Sequence, residues 1–175
     1  DTFSFELYIN GRPVIVDTGT STYVVNNTRF YERSTAAHNT VVVCGQNSSQ
    51  VWAAHRVARR ARVQVFCDEE ERIVAVHDGY KRLGCLHTRK VEKVGKYIRI
   101  TDEVDREGTA YLHFMPKENV VLDGNRLLGS DYCIEFDGAR EIEPFTSMYA
   151  PEFNKREERR SFRISFDRRL ETIIQ

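Results

Sequence analysis

The chain has 175 residues, with 26 Lys and Arg against 26 Asp and Glu and a formal net charge of zero. That balance argues against a nucleic-acid binder, which carries a basic excess, and no apolar run approaches the ~20 residues needed to span a bilayer. The length suits one domain, or one module of a longer protein, with a full core. The cysteines (Cys44, Cys67, Cys85 and Cys133) stand far apart without Cys-x-x-Cys spacing, which excludes zinc-ribbon and thioredoxin-like readings. Cys67 and Cys85 flank a predicted hairpin and either pair or stay as buried thiols.

Asn10-Gly11 between two alternating apolar runs predicts a hairpin of residues 3–9 and 12–16, because a type I′ turn needs positive φ at both central positions. Asp17 closes the run Pro13–Val16 and is followed by turn-forming Thr18-Gly19-Thr20. A polar loop at Asn26–Thr28 leads to Glu32-Arg33-Ser34-Thr35-Ala36-Ala37-His38-Asn39-Thr40, which runs into the apolar strand Val41–Cys44. Residues 49–60 fit a helix or an extended segment equally well. Arg62–Phe66 alternates with period two, and Ile73–His77 answers it across the acidic turn Asp68–Glu71. Strands at 86–91, 97–103 and 109–115 continue as a meander, followed by short strands at 117–123, 126–128 and 132–136. Asn154–Arg160 is a charge run expected to form a solvated loop, after which Phe162, Ile164 and Phe166 point one way. These elements predict an all-β, two-layer antiparallel β-sandwich with little helix. Phe5, Leu7, Val63, Val65, Ile98, Ile100, Phe162 and Ile164 are its expected core.

Two strand ends present chemistry. Carboxylate oxygen and imidazole nitrogen are ordinary zinc donors, so Asp17 and His38 form a candidate metal pair, expected side by side. The plainer alternative is that they only hydrogen-bond two strands together. Arg56, Arg59, Arg60 and Arg62 form one basic cluster, and Lys81, Arg82, His87, Arg89 and Lys90 a second. Arginine forks suit carboxylate or sulfate groups, but outward cations also protect sheet edges. His77-Asp78-Gly79-Tyr80 reads either as a site wall or as a strand-to-turn junction. His55 and His113 read as ordinary; Trp52 and Tyr80 could stack on sugar rings, yet a lone tryptophan in a sandwich is more often core.

Asp17-Thr18-Gly19-Thr20-x-x-Tyr23 followed by Arg33-Ser34-x-x-x-His38-Asn39-Thr40-Val41 resembles the C-terminal β-domain of heparinase II/III-type polysaccharide lyases, the group of heparan sulfate and oligoalginate lyases. Thr2–Tyr8 with Gly11-Arg12-Pro13, then His77-Asp78-Gly79-Tyr80 and His87-x-Arg89-x-Val91, fit the same pattern in the same order. The resemblance implies a supersandwich-like domain over residues 1–175, a piece of a lyase whose N-terminal (α/α) toroid precedes it. The opening at Asp1 without a methionine agrees with a cut piece.

The resemblance further implies that Asp17 and His38 are zinc ligands. The third is a histidine in a His-x-His-x-Asp segment upstream, whose closing Asp matches Asp1. Arg33, Asn39, His77, Tyr80 and Arg89 are the substrate-binding candidates. No catalytic residue is assigned within the chain, because the family's tyrosine acid/base sits in the toroid. The implied substrate is an acidic polysaccharide, heparan sulfate-like or alginate-like, cleaved by β-elimination by a periplasmic or secreted bacterial enzyme. The alternative is a non-catalytic carbohydrate-binding or structural sandwich.

Overall fold

The structure, a computed structural model, describes residues 2–175. β1 (Leu7–Ile9) and β2 (Arg12–Ile15) form the expected hairpin, with φ of 51° at Asn10 and 76° at Gly11. A short helix, α1 (Asn27–Glu32), replaces the expected loop at Asn26–Thr28. The Asn26 side chain accepts a hydrogen bond from the Arg29 amide at 2.9 Å, and asparagine is among the strongest N-caps. A 3₁₀ turn (Thr35–Ala37) then delivers the chain to β3 (Val41–Val43). Residues 49–60 take the extended alternative, as the small hairpin β4 (Val51–Ala53) and β5 (Arg56–Val57).

The meander follows as β6 (Val63–Glu69), β7 (Arg72–His77), β8 (His87–Val94) and β9 (Tyr97–Val104), and then β10 (Gly108–His113). β11 (Val121–Asp123) and β12 (Arg126–Leu128) lead into a long hairpin, β13 (Cys133–Tyr149) and β14 (Glu157–Ile174). The charge run at 154–160 is therefore not a solvated loop throughout. From Glu157 it is strand, and Arg159 is buried.

The long hairpin serves both layers of the all-β sandwich. The C-terminal part of β14, Arg169–Ile174, pairs with β9, whereas its N-terminal part, Ser161–Phe166, pairs with β10. Between them β14 is bulged: Asp137 faces Glu171 but Ala139 faces Phe166, so β14 carries extra residues through a corner. A bulge of this kind bends a strand and strengthens its twist. One layer runs β11-β12-β13-β14-β9-β8-β7-β6, and the other runs β13-β14-β10-β3. β2 joins the second layer through Val16 N–H to His113 O (3.0 Å) and Met115 N–H to Val14 O (2.9 Å).

The core lies between the layers. Ile100, Ile134, Phe136 and Leu170 meet Val41, Leu112, Phe114, Phe162 and Ile164, all nearly or wholly removed from solvent. Phe114 and Phe162 pack edge to face at 5.7 Å. Phe5, Leu7, Ile98, Ile100, Phe162 and Ile164 occupy this core or its margin, as alternation predicts. Val63 and Val65 do not: they are 50% and 56% exposed. β6 is the edge strand of the long layer, and its register slips after Val65. Trp52 is also exposed, on the separate β4–β5 hairpin, with the Arg56 guanidinium 5.0 Å from its ring. All four cysteines are free thiols.

Gly138 turns the corner with φ of 86°, and a Cβ there would lie 2.6 Å from the Arg169 carbonyl oxygen. Gly138→Ala is expected to lower the unfolding free energy by about 1–3 kcal/mol, as for other forced backbone conformations. Gly95→Ala, with φ of 62° and nothing within 4 Å of the added methyl, is expected to cost less. Denaturant midpoints check both, and equal losses would show that the corner is not sterically fixed.

Candidate functional site

Asp17 lies two residues beyond β2 and His38 caps the 3₁₀ turn ahead of β3, and the two meet with His38 Nδ1 2.6 Å from Asp17 Oδ1. His38 is buried and Asp17 half-buried. Partial burial pushes the Asp17 carboxyl up, but the hydrogen bond and charge of His38 outweigh it. With the Gly19 amide donating to Oδ2 at 3.1 Å, they hold the group at about 2. A carboxylate this far below its usual range is ionised at any working pH.

The pair is held by a buried polar junction. Asn39 is wholly buried; its Nδ2 donates to Phe5 O (2.9 Å) and Val16 O (3.2 Å), and its Oδ1 accepts from the His113 amide at 2.8 Å. The His113 ring bridges Ala36 O (3.0 Å) and Ser161 Oγ (2.9 Å). The carbonyl can only accept, so Nε2 carries the proton and Nδ1 accepts. Burial, then the charge of Arg159, lowers His113 to about 3. Arg159 reaches in from β14 and donates to Val16 O (3.0 Å), Asp17 O (3.2 Å) and Thr18 Oγ1. Burial lowers its guanidinium to about 10.

The sequence reading missed Arg159 and His113 as supports of the site. Carrying the alternation of Phe162, Ile164 and Phe166 backwards extends the strand through this region. Nothing in the sequence says that its other face is covered.

Of the substrate-binding candidates, only Arg33 reaches the pocket beside Asp17 and His38. Asn39, His77, Tyr80 and Arg89 are buried with their polar groups engaged inside the chain, so their positions support an architectural role. Arg89 grips Asp102 with both arms of its fork, at 2.8 and 2.9 Å, and donates to Asn39 O at 3.1 Å and to Phe3 O. His87 donates from Nε2 to Asp102 Oδ1 at 2.6 Å. Because the Gly79 amide donates to His77 Nδ1, the His77 Nε2 proton points at His87 Nδ1, 3.0 Å away. Burial, followed by His87 and Arg89, lowers His77 to about 3. Burial opposes ionisation of Asp102, but Arg89 and His87 hold its carboxyl well below the usual range. Tyr80 donates to Val41 O at 2.6 Å, and burial pushes its hydroxyl up.

The pocket has a volume of about 810 Å³ and opens to solvent. α1 presents Arg29 and Arg33, four residues apart and so on one helical face, while Ser21 N–H to Glu32 Oε1 (2.9 Å) ties the helix to the turn after Asp17. Arg33 donates to Ala53 O and Arg29 Nε to Ala54 O (3.3 Å), fixing the β4–β5 hairpin as a wall. Arg60 completes the basic lining. Burial, then the nearby Arg29 and Arg60, lower the Arg33 guanidinium, and Glu6, Asp17 and Glu32 share the lining with the three arginines.

As zinc donors Asp17 and His38 are of the right chemistry and lie side by side, bonded directly to each other, but a zinc site takes three or four protein ligands. Among the described residues no group of three or more His, Cys, Asp or Glu side chains lies together. The pair therefore supplies two donors only. Asp1, expected to close the segment carrying the third, lies outside the described residues.

The whole chain, residues 1–175, matches the family described as heparinase II/III-like, C-terminal. Over 129 residues it is 30% identical to a heparin-sulfate lyase of Bacteroides stercoris, covering 69% of this chain and 18% of that protein. Among solved structures, heparinase III superposes with a TM-score of 0.81 at 24% identity. The heparan sulfate lyase of Pedobacter heparinus superposes at 0.79 with 19% identity. Each of these alignments covers 98% of this chain and 29% of the other. The chain thus spans less than a third of the length of these relatives. The structural likeness is one of fold.

His77 and His113 carry a pH prediction. Both are lowered from 6.5 to about 3 in the folded chain, so between those values the unfolded state binds protons that the folded state does not. Their contribution is fully present above pH 6.5 and is lost as pH falls towards 3. The expected slope is about 1.4 kcal/mol per pH unit for each histidine. Denaturant unfolding between pH 7 and pH 4 checks this, and His113→Asn is expected to make the slope shallower. An unchanged slope would mean that His113 does not stay neutral in the fold.

Proposed function

The chain belongs to the heparinase II/III-like C-terminal family, and on that basis we propose that the protein containing it is a polysaccharide lyase acting on acidic, uronate-containing glycans. The observation that carries the reading is the convergence of Asp17 and His38 at the wall of a pocket that also receives Arg29, Arg33 and Arg60. Chemistry favours an anionic ligand there, since guanidinium forks match carboxylate and sulfate groups. Likeness to a heparin-sulfate lyase points the same way, with alginate-like polymers as the other uronate class.

β-Elimination needs a neutralised uronate carboxylate, a base for the C5 proton and an acid for the leaving oxygen. The base and the acid belong to an N-terminal helical domain outside this chain. The chain's own residues bind and orient. Arg29, Arg33 and Arg60 draw the acidic glycan to the wall, while Asn39, His113 and Arg159 keep that wall rigid. Asp17 and His38 would hold zinc together with a histidine from the segment preceding this chain. When bound, zinc supplies a fixed positive charge and an anchor for that segment. Tyr23, Val24, Val25 and Phe153 are more than half exposed, with Tyr23 against both Arg29 and Phe153, and offer an apolar rim for the helical domain. The setting would be the periplasm or the exterior of a bacterial cell.

The test uses the full-length protein. Metal analysis is expected to find near-stoichiometric zinc in the wild type and loss of most of it in Asp17→Ala and His38→Ala. Arg33→Ala is expected to raise KM for heparan sulfate about tenfold, the scale of one charge-assisted hydrogen bond, with kcat little changed. Turnover is followed by the ultraviolet absorbance of the unsaturated uronate, and the isolated chain should show none. Undiminished zinc in both variants would remove the metal assignment. No cleavage of heparan sulfate or alginate by the full-length protein would remove the lyase.

A further inference from the structure

Three residues of the first basic cluster and two of the second meet in one groove in the fold. Arg59, Arg60 and Arg62 lie on the connection from β5 to β6, and Lys81 and Arg82 on a 3₁₀ turn (Lys81–Leu83) after β7. Together they line a second depression of about 850 Å³. Arg60 and Ala61 line both this groove and the pocket beside Asp17 and His38, so the two cavities are neighbours that share one wall.

The groove's cations have no carboxylate partner among the described residues. Among the described residues none of Arg59, Arg60, Arg62, Lys81 or Arg82 makes an ion pair, whereas cations elsewhere meet carboxylates, as in Arg12–Glu118, Arg163–Glu143 and Arg169–Glu103. The one carboxylate in the lining, Asp78, accepts from the Arg62 backbone amide at 2.7 Å. Arg82 is held by the Gly79 and Asn47 carbonyls at 2.9 and 2.6 Å, which fixes its position while leaving its charge unneutralised. Edge protection does not account for the cluster: Arg59–Arg62 precede β6, and Lys81 and Arg82 sit on a turn. In a chain of zero net charge, uncompensated cations in a concave surface focus a positive potential there.

We propose that this groove is a second anion-binding subsite, which takes the sulfate or carboxylate groups of a glycan already seated in the pocket. The inference rests on the acidic-glycan reading of the pocket and extends it from one end of the ligand to a longer stretch. Arg60 is the shared residue at which the ligand passes from one cavity to the other. Each cavity by itself has the volume of a small-molecule site. A linear polyanion that fills both gains contacts that a short one cannot make.

The test measures binding of size-fractionated dextran sulfate, which carries sulfate but no uronate and so is not cleaved by a lyase. Full-length protein is compared with its triple variant Arg59→Gln, Arg62→Gln, Lys81→Gln, which touches no residue of the first pocket. Long oligomers are expected to bind the variant about tenfold more weakly, the sum of several exposed charge contacts. Their affinity is also expected to depend less steeply on salt, because fewer counterions are released. Tetramers should bind both proteins alike. A control with the same charge loss elsewhere, Lys96→Gln, Arg140→Gln, Arg168→Gln, should leave both affinities unchanged. Unchanged affinity for long oligomers, or equal loss for long and short, overturns the groove. If the variant behaves as expected but the wild type cleaves no uronate polymer, the groove stands and the lyase reading falls.

Discussion

A buried amide left without partners costs more than most single contacts return, and Asn39 sits where no water reaches it. Its side chain answers that constraint by bonding Phe5, Val16 and His113, one each from the N-terminal segment, the end of β2 and the end of β10. His38 is its chain neighbour and Asp17 follows Val16, so the same amide that ties three segments together also sets the two site residues against each other. The imidazole of His113 and the guanidinium of Arg159 extend the junction to β14. The site is therefore a by-product of how the layers are joined, and is as rigid as that joint.

Arg159 is a buried cation whose guanidinium bonds carbonyl and hydroxyl oxygens, and no carboxylate oxygen lies within ion-pair distance among the described residues. Removing it from water is costly; dipoles from Val16, Asp17 and Thr18 and the nearby Asp17 charge offset part of that cost. Arg89 solves the same problem differently, with the bidentate Asp102 partner and two carbonyls. One arginine braces the Asp17 side of the site, and the other braces Asn39 next to His38. Both act through backbone carbonyls, which fixes the path of the chain more directly than a side-chain contact would.

The corner in the long hairpin gives these contacts their geometry. β9 and β10 are consecutive, yet they pair with different parts of β14 because the hairpin bends at Gly138. The bend brings β10, and with it His113, over the first layer. Pocket and groove then lie on the face built by short elements, α1, the β4–β5 hairpin and two turns. Short segments of this kind vary without disturbing a core. Asp17 and His38 are thus held by the scaffold, while such segments carry the arginines.

The sequence by itself determined whatever is local or periodic. Asn10-Gly11 can only be a tight hairpin turn, the meander strands are bounded by their turns, and alternation pairs Phe162 with Ile164 and Ile98 with Ile100. The motifs around Asp17 and His38 marked the family and the pair. Tertiary structure decided which faces are covered. Val63 and Val65 alternate as core residues do, but they lie on an edge strand. Arg159 reads as part of a solvated charge run, yet it is buried because β2 and β10 close over it. Asn39, His77, Tyr80 and Arg89 look like ligand-binding residues by type, but the fold buries them and engages their polar groups inside the chain. The same folding brought Arg59–Arg62 to Lys81 and Arg82. Periodicity says which residues share a face, and only the packing of the other layer says what that face meets.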